Sequence, residues 1–528
     1  MAVDGYGAFL ETKSQYAAAS GFAPTWLPAA LFDFQAALTD WAIRKGRAAI
    51  FSDCGTGKTL MELVWAQNVV RHTNGRVLIL TPLAVARQTV AEGEKFGIEV
   101  RRSLDGKPAA EITVTNYERL HLFRPDDWVG LVCDESSILK HFGGATQRLV
   151  TRFMAKHPYR LLCTATAAPN DYHELGTSSE ALGDLGKSDM LARFFAQDDG
   201  KAFRMNEVKL ARAARTGNHY ARLAYRVSQQ IGQWRLKPHA EIPFWRWVCS
   251  WARTCRKPSD LGFPDGGFVL PPMRERYHVI TPKRPADGML FTVPAFGLSE
   301  EREERRRTLK ERVALVVRLV NHDRPAVVWC HLNVEGQRLE QGIPYSLEVA
   351  GRHDDDYKET VAEWFLGWRC VCHDTRFSAK VAAWDKRSND SASPLGNSAM
   401  PQIFSGTPSC ICGHHSGHRV LISKPRVFGF GLNFQHCAHV VTFATHSWEQ
   451  YYQSVRRCWR FGQLREVVVD VVSTEGESRV RENMARKSTA AEAMFGKLVQ
   501  HMNEALTATR VREDQPVRMP SWLTNGVP

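Results

Sequence analysis

Along residues 48–150 short apolar runs alternate with stretches of helical periodicity: AAIF, a helix from Lys58, VLIL, a second helix, ITVT, then WVGLVCD. Such alternation is the signature of a parallel sheet whose strands are joined by crossover helices. A second alternation begins near residue 310, with VALVVRLV, AVVWC, RVLIS, HVVTF and VVVDVV in order. The expected fold class is therefore α/β, built as two parallel-sheet lobes.

Between the lobes, residues 180–275 lose the strand rhythm, turn basic and tryptophan-rich, and end in the loop-like FPDGGFVLPP. The expected organisation is an N-terminal segment 1–25, a first lobe 26–180, a helical inter-lobe region 181–280, a second lobe 281–475 and a helical tail 476–528. Trp234, Trp245, Trp247 and Trp251 are interleaved with basic residues, which suits base stacking. Phe244, Trp247 and Trp251 fall at helical spacing, however, and that favours a packed helix face. EREERRRTLKERVALVV reads as a helix with opposite charges at helical spacing.

A small Cys/His-containing insertion, 370–418, interrupts the second lobe. Cys370, Cys372, Cys410 and Cys412, with His373, His414, His415 and His418 nearby, offer ligands for a tetrahedral zinc ion. The Cys-x-Cys spacing departs from the commoner zinc spacing, and free thiols on two adjoining strands are the alternative.

At 528 residues the chain exceeds one hydrophobic core. Its net charge of +13 favours a polyanionic partner without distinguishing nucleic acid from an acidic protein. No apolar run reaches the roughly 18 residues of a membrane span, and the N-terminus carries Asp4 and Glu11 in place of a basic-then-apolar leader. No membrane partner is expected, and a cytoplasmic location is. Cys133, Cys163 and Cys330 sit inside apolar runs, as reduced, buried thiols do.

AAIFSDCGTGKTL places a glycine-rich loop between an apolar strand and a helix. Gly55 and Gly57 let backbone N–H groups face phosphate oxygens, Lys58 reaches the β- and γ-phosphates, and Thr59 ligates Mg²⁺. WVGLVCDES adds an apolar strand ending in two carboxylates. Asp134 is suited to hold Mg²⁺, and Glu135 to orient and deprotonate the attacking water.

Taken in order, these stretches resemble a superfamily 2 helicase or translocase of the DEAD/DEAH-type ATPases, nearest to the Swi/Snf-like branch, and similar proteins are frequent in phages and prophages. The resemblance runs over most of residues 30–475. FDFQ resembles the adenine-reading element, TPLAVARQ and TVTNYERL first-lobe nucleic-acid contacts, DESS the magnesium and water box, and TATAAPND the coupling motif. VVWCHLNVEGQRL, VFGFGLNFQ and QSVRRCWRFGQ resemble the later motifs of the second lobe.

That resemblance implies two RecA-like lobes closing on ATP and Mg²⁺. Lys58, Asp134, Glu135, Arg457 and Arg460 would be catalytic, with the arginines reaching the γ-phosphate from the second lobe. The nucleotide would be held by Gln35, Cys54, Gly55, Thr56, Gly57, Lys58, Thr59, Gly431, Asn433 and Gln453. Nucleic acid would be held by Thr81, Arg87, Thr115, Asn116, Lys424 and Arg426. Arg456 falls off the finger register and is expected on nucleic acid or in solvent. The implied function is an ATP-driven translocase on DNA, more fitting than RNA. Because Ser52 replaces a motif glycine, a nucleic-acid-binding scaffold with a decayed ATPase site is the alternative from another class.

Overall fold

The computed structural model describes residues 19–82, 85–140, 144–168, 171–197, 234–282, 298–367, 369–371, 374–389, 419–428 and 432–513. In the first lobe the chain forms strands β1 (Arg47–Ser52), β2 (Val77–Thr81), β3 (Val100–Arg102), β4 (Ile112–Asn116), β5 (Gly130–Asp134) and β6 (Tyr159–Cys163). A short antiparallel pair follows, β7 (Phe195–Gln197) with β8 (Trp234–Leu236), and then β9 (Ala252–Cys255). The first sheet runs β3-β4-β2-β5-β6-β1-β9, all parallel.

Both faces of this sheet are covered, which explains why its strands read as continuous apolar runs. Ala48 and Ile50 of β1 enter one core with Val64 and Trp65 of the helix Lys58–Thr73, while Ala49 and Phe51 enter the opposite core. Because β6 lies between β1 and β5, the loop that follows it is wedged between the glycine-rich loop and the acidic pair.

The second sheet contains β10 (Met273–Ile280), β11 (Ala326–Trp329), β12 (Ser346–Val349), β13 (Val420–Ser423), β14 (His439–Phe443) and β15 (Val467–Thr474). Its order is β10-β15-β14-β11-β13-β12, again all parallel. The architecture is thus two parallel α/β lobes. Buried Arg312 pairs with Glu335 at 3.2 Å beneath this sheet.

The region between the lobes departs from the purely helical expectation. Ala252–Cys255 joins β1 as the edge strand of the first sheet, and Met273–Ile280 joins β15 as the edge strand of the second. Both were hidden by their polarity: β9 is four residues long and includes Arg253 and Thr254, and β10 contains Arg274, Glu275 and Arg276, of which Arg274 and Arg276 are exposed and Glu275 is half-buried. Phe244, Trp245, Trp247 and Trp251, on the helix Glu241–Trp251, are buried in the first-lobe core. The packed-face reading therefore describes them, and base stacking does not.

The helix Ser478–Glu513 straddles the lobes. Val480 and Met484 enter the second-lobe core, whereas Met494, Phe495, Leu498 and Met502 enter the first-lobe core beside the tryptophan helix. Lys497 pairs there with Glu241. No described helix is long and apolar enough to cross a membrane.

Candidate active site

The loop between β1 and the helix Lys58–Thr73 is shaped by two glycines with positive φ, Gly55 at 90° and Gly57 at 82°. Gly57 also admits Gln35: a Cβ there would stand 2.3 Å from Gln35 Nε2. That Nε2 donates to the Thr56 carbonyl at 2.7 Å, and Gln35 Oε1 accepts from the Phe32 N–H at 3.0 Å, so Gln35 braces the loop. Lys58 Nζ donates to the Ser52 and Asp53 carbonyls at 2.9 and 3.1 Å. Ser52 does not obstruct the loop. Its hydroxyl lies 2.6 Å from that of Thr56 and donates to the Cys255 carbonyl at 3.2 Å, tying the loop to β9.

Asp134 and Glu135 end β5. Glu135 has φ of 51°, a left-handed conformation that non-glycine residues seldom adopt and that concentrates at functional sites. Its Oε2 accepts from Thr164 at 3.3 Å and from Gln453 at 3.4 Å. Burial and the neighbouring Glu135 push the Asp134 carboxyl up to about 7, against the pull of Lys58 and Arg457. A carboxylate this costly to ionise gains from a nearby cation, so Asp134 and Thr59 fit a magnesium ion.

The second lobe closes this space. Lys58, Thr59, Asp134, Glu135, Arg457 and Arg460 all line one cavity of about 330 Å³. Arg457 donates to the Gln453 and Leu432 carbonyls, both at 3.2 Å, and its Nη2 stands 3.9 Å from Glu135 Oε1. Arg460 donates to Asn433. Burial, with Arg457 nearby, pulls Arg460 down to about 10, and its buried Nε has no acceptor among the described residues. An anion in the cavity would relieve both strains. Cys54 and Gly57 also line the space, whereas Gly431 lies outside the described residues. Phe268 and Phe461 stack at 4.4 Å and, with Phe32, form an aromatic wall beside Gln35.

Arg456 requires a correction. It meets neither solvent nor a polymer groove: its side chain is buried and donates to Asp53 Oδ2 at 2.6 Å and to the Cys54 carbonyl at 2.8 Å. Tyr452 donates to the other oxygen of Asp53 at 2.5 Å. Burial alone would lower the Arg456 pKa, but Asp53 and Tyr452 outweigh it and keep the guanidinium charged. The available signal was complementarity, an acid within the loop and an arginine outside the finger register.

A larger groove of about 1130 Å³ adjoins the cavity, with Arg87, Lys95, Arg102, Lys140, Lys358 and Arg426 along it, interspersed with Glu92, Glu118, Asp355, Glu359, Glu363 and Glu449. Arg87 bridges the lobes by pairing with Glu359. Thr81, Thr115, Asn116 and Lys424 do not line this groove. Thr81 and Thr115 lie within the sheet and are buried; Thr115 donates its hydroxyl to the Ser103 carbonyl at 3.0 Å, while the Thr81 hydroxyl is enclosed with no partner among the described residues. Cys370 is half-buried, while Cys372, Cys410 and Cys412 lie outside the described residues. Among the described residues no group of three metal-ligating side chains occurs.

No family model and no curated protein matches the chain. Among solved structures it is similar to the Sulfolobus solfataricus SWI2/SNF2 ATPase core in complex with dsDNA, at 15% identity over 91% of this chain and 96% of that one, with a TM-score of 0.34. At that TM-score the likeness carries nothing over to this chain.

Proposed function

We propose that the chain is an ATP-dependent motor on nucleic acid, with duplex DNA as its track. The observation that supports this most directly is the shared cavity, where Lys58, Asp134 and Glu135 of one lobe face Arg457 and Arg460 of the other. Residues so remote in sequence converge there because the lobes close on one another. The glycine-rich loop offers backbone N–H groups to phosphate oxygens, and Lys58 can leave its two carbonyl partners for a stronger anionic one. Magnesium held by Thr59 and Asp134 would neutralise charge developing on the phosphates. Glu135, flanked by Thr164 and Gln453, accepts the proton of the attacking water. Arg457 and Arg460 stabilise the charge on the transferred group.

The basic side chains along the groove beside the cavity, set among its carboxylates, offer points of attachment for the phosphates of a polyanion, in keeping with the net charge of +13. The test is ATP turnover without polymer and with single-stranded DNA, duplex DNA and RNA, for the unaltered protein, Lys58→Ala and Arg460→Ala. Turnover raised most by duplex DNA and abolished by Lys58→Ala is expected, with Arg460→Ala lowering it about 10³- to 10⁵-fold. An unaltered protein that hydrolyses nothing under any condition would leave the scaffold reading in its place.

A further inference from the structure

Glu135 lines both the nucleotide cavity and the larger groove. A file of buried polar side chains leads from it to the groove wall. Gln453 Nε2 donates to Glu135 Oε2 at 3.4 Å and to Thr166 Oγ1 at 3.3 Å. Thr166 Oγ1 in turn donates to Glu449 Oε1 at 3.4 Å, and Glu449 Oε2 is ion-paired with Lys140. Glu449 and Gln453 lie one turn apart on the helix Trp448–Val455, so a single helical face carries the file across the lobe boundary. Lys140 ends the short helical turn Ser136–Lys140 that follows Glu135.

The file is only weakly committed to its present arrangement. Its hydrogen bonds are long, and the buried Gln453 Oε1 has no donor among the described residues. At its groove end Lys140 lies in the field of the carboxylates Glu174 and Glu135 and of the cations Arg426 and Lys487, so a phosphate arriving there meets cations besides Lys140 itself. Lys140, Glu449 and Arg426 all face the groove.

We propose that Lys140 and Glu449 are positioning residues that report a backbone phosphate in the groove to Glu135. This rests on the polymer-stimulated ATPase reading above. A phosphate oxygen beside Lys140 competes with Glu449 for the ammonium. The released carboxylate is a stronger acceptor for the Thr166 hydroxyl, and a more polarised hydroxyl is a better acceptor for Gln453 Nε2. Gln453 is thereby drawn off Glu135 Oε2, which keeps the Thr164 hydroxyl and gains a lone pair for the attacking water. Every move is a hydrogen-bond exchange, and no bond or electron changes hands.

The experiment is ATP turnover with and without duplex DNA, single-stranded DNA and RNA for the unaltered full chain, Lys140→Met, Lys140→Arg and Glu449→Gln, with kcat and the KM for ATP determined separately. Stimulation of the unaltered protein is expected at about 5- to 150-fold, the usual range for two coupled sites. Lys140→Met should raise polymer-free turnover towards the stimulated value, and Glu449→Gln should lower stimulated turnover towards the polymer-free one. Both changes should appear in kcat, leaving KM for ATP within about twofold of its starting value, a shift of under about 0.5 kcal/mol. Lys140→Arg should retain stimulation. If the unaltered protein is stimulated but Lys140→Met and Glu449→Gln keep its ratio, or lose turnover only in step with a lower melting temperature, the inference fails while the motor reading survives. If no polymer stimulates the unaltered protein, both fall.

Discussion

Arg456 and Asp53, 403 positions apart in the chain, meet at 2.6 Å and fasten the second lobe to the glycine-rich loop of the first. Both side chains are buried, so each partner depends on the other for its charge to be tolerated. Removing one member of such a pair costs about 3–5 kcal/mol, because the other remains charged and desolvated. Arg456→Ala and Asp53→Ala should each destabilise the protein by that order, and the double variant by much less than their sum. Denaturant unfolding of the four proteins checks this, and additive losses would contradict the pairing.

Gly55 permits a close approach between the lobes. Its φ is 90°, and a Cβ there would stand 2.9 Å from the Phe461 backbone nitrogen and 3.3 Å from Arg460 Cβ. Gly55→Ala should therefore push the arginine-bearing segment away from the loop. Displacement of this order costs about 10²-fold in rate when catalytic groups must be aligned. Steady-state ATP turnover, with circular dichroism to show an intact fold, measures the effect.

The tryptophan helix serves the core. Trp251 is fully buried and packs edge-on against Phe51 with ring centroids 6.0 Å apart. Trp251→Ala should cost about 3–5 kcal/mol of first-lobe stability. Duplex affinity, measured by fluorescence anisotropy on the folded fraction, should stay the same.

The second lobe should be sensitive to mild acid. Burial holds His331 and His436 down to about 4, against an ordinary value of 6.5. Between those values the unfolded chain binds protons that the folded one refuses, so stability is full above pH 6.5 and declines as pH falls towards 4. A loss on the order of 1–2 kcal/mol per histidine by pH 5 is expected. Comparing urea midpoints at pH 7.5 and 5.0 tests this, and His436→Gln should flatten the dependence.

Strands covered on both faces were legible in the sequence, since AAIF, VLIL and VVVDVV carry their burial as composition. The glycine-rich loop was legible because Gly55, Gly57 and Lys58 are fixed by local backbone chemistry. Edge strands β9 and β10 were not: β9 is short and carries Arg253 and Thr254, and β10, exposed at Arg274 and Arg276, tolerates charge and loses the apolar signature. Arg456 was assigned to solvent or polymer because its partner is non-local: only the closed arrangement of the lobes brings Asp53 to it. Thr115 does not line the groove, and its hydroxyl is taken by the carbonyl of Ser103, just past β3, a pairing that the residue type alone does not reveal.

The helix Ser478–Glu513 is rooted in one lobe by Val480 and in the other by Met502. At about 1.5 Å per residue those anchors are roughly 33 Å apart along a single rod. Separating the lobes must flex that rod or pull an anchor from its core, so helix stiffness sets an upper limit on the stroke of each cycle and returns the cleft towards closure like a leaf spring.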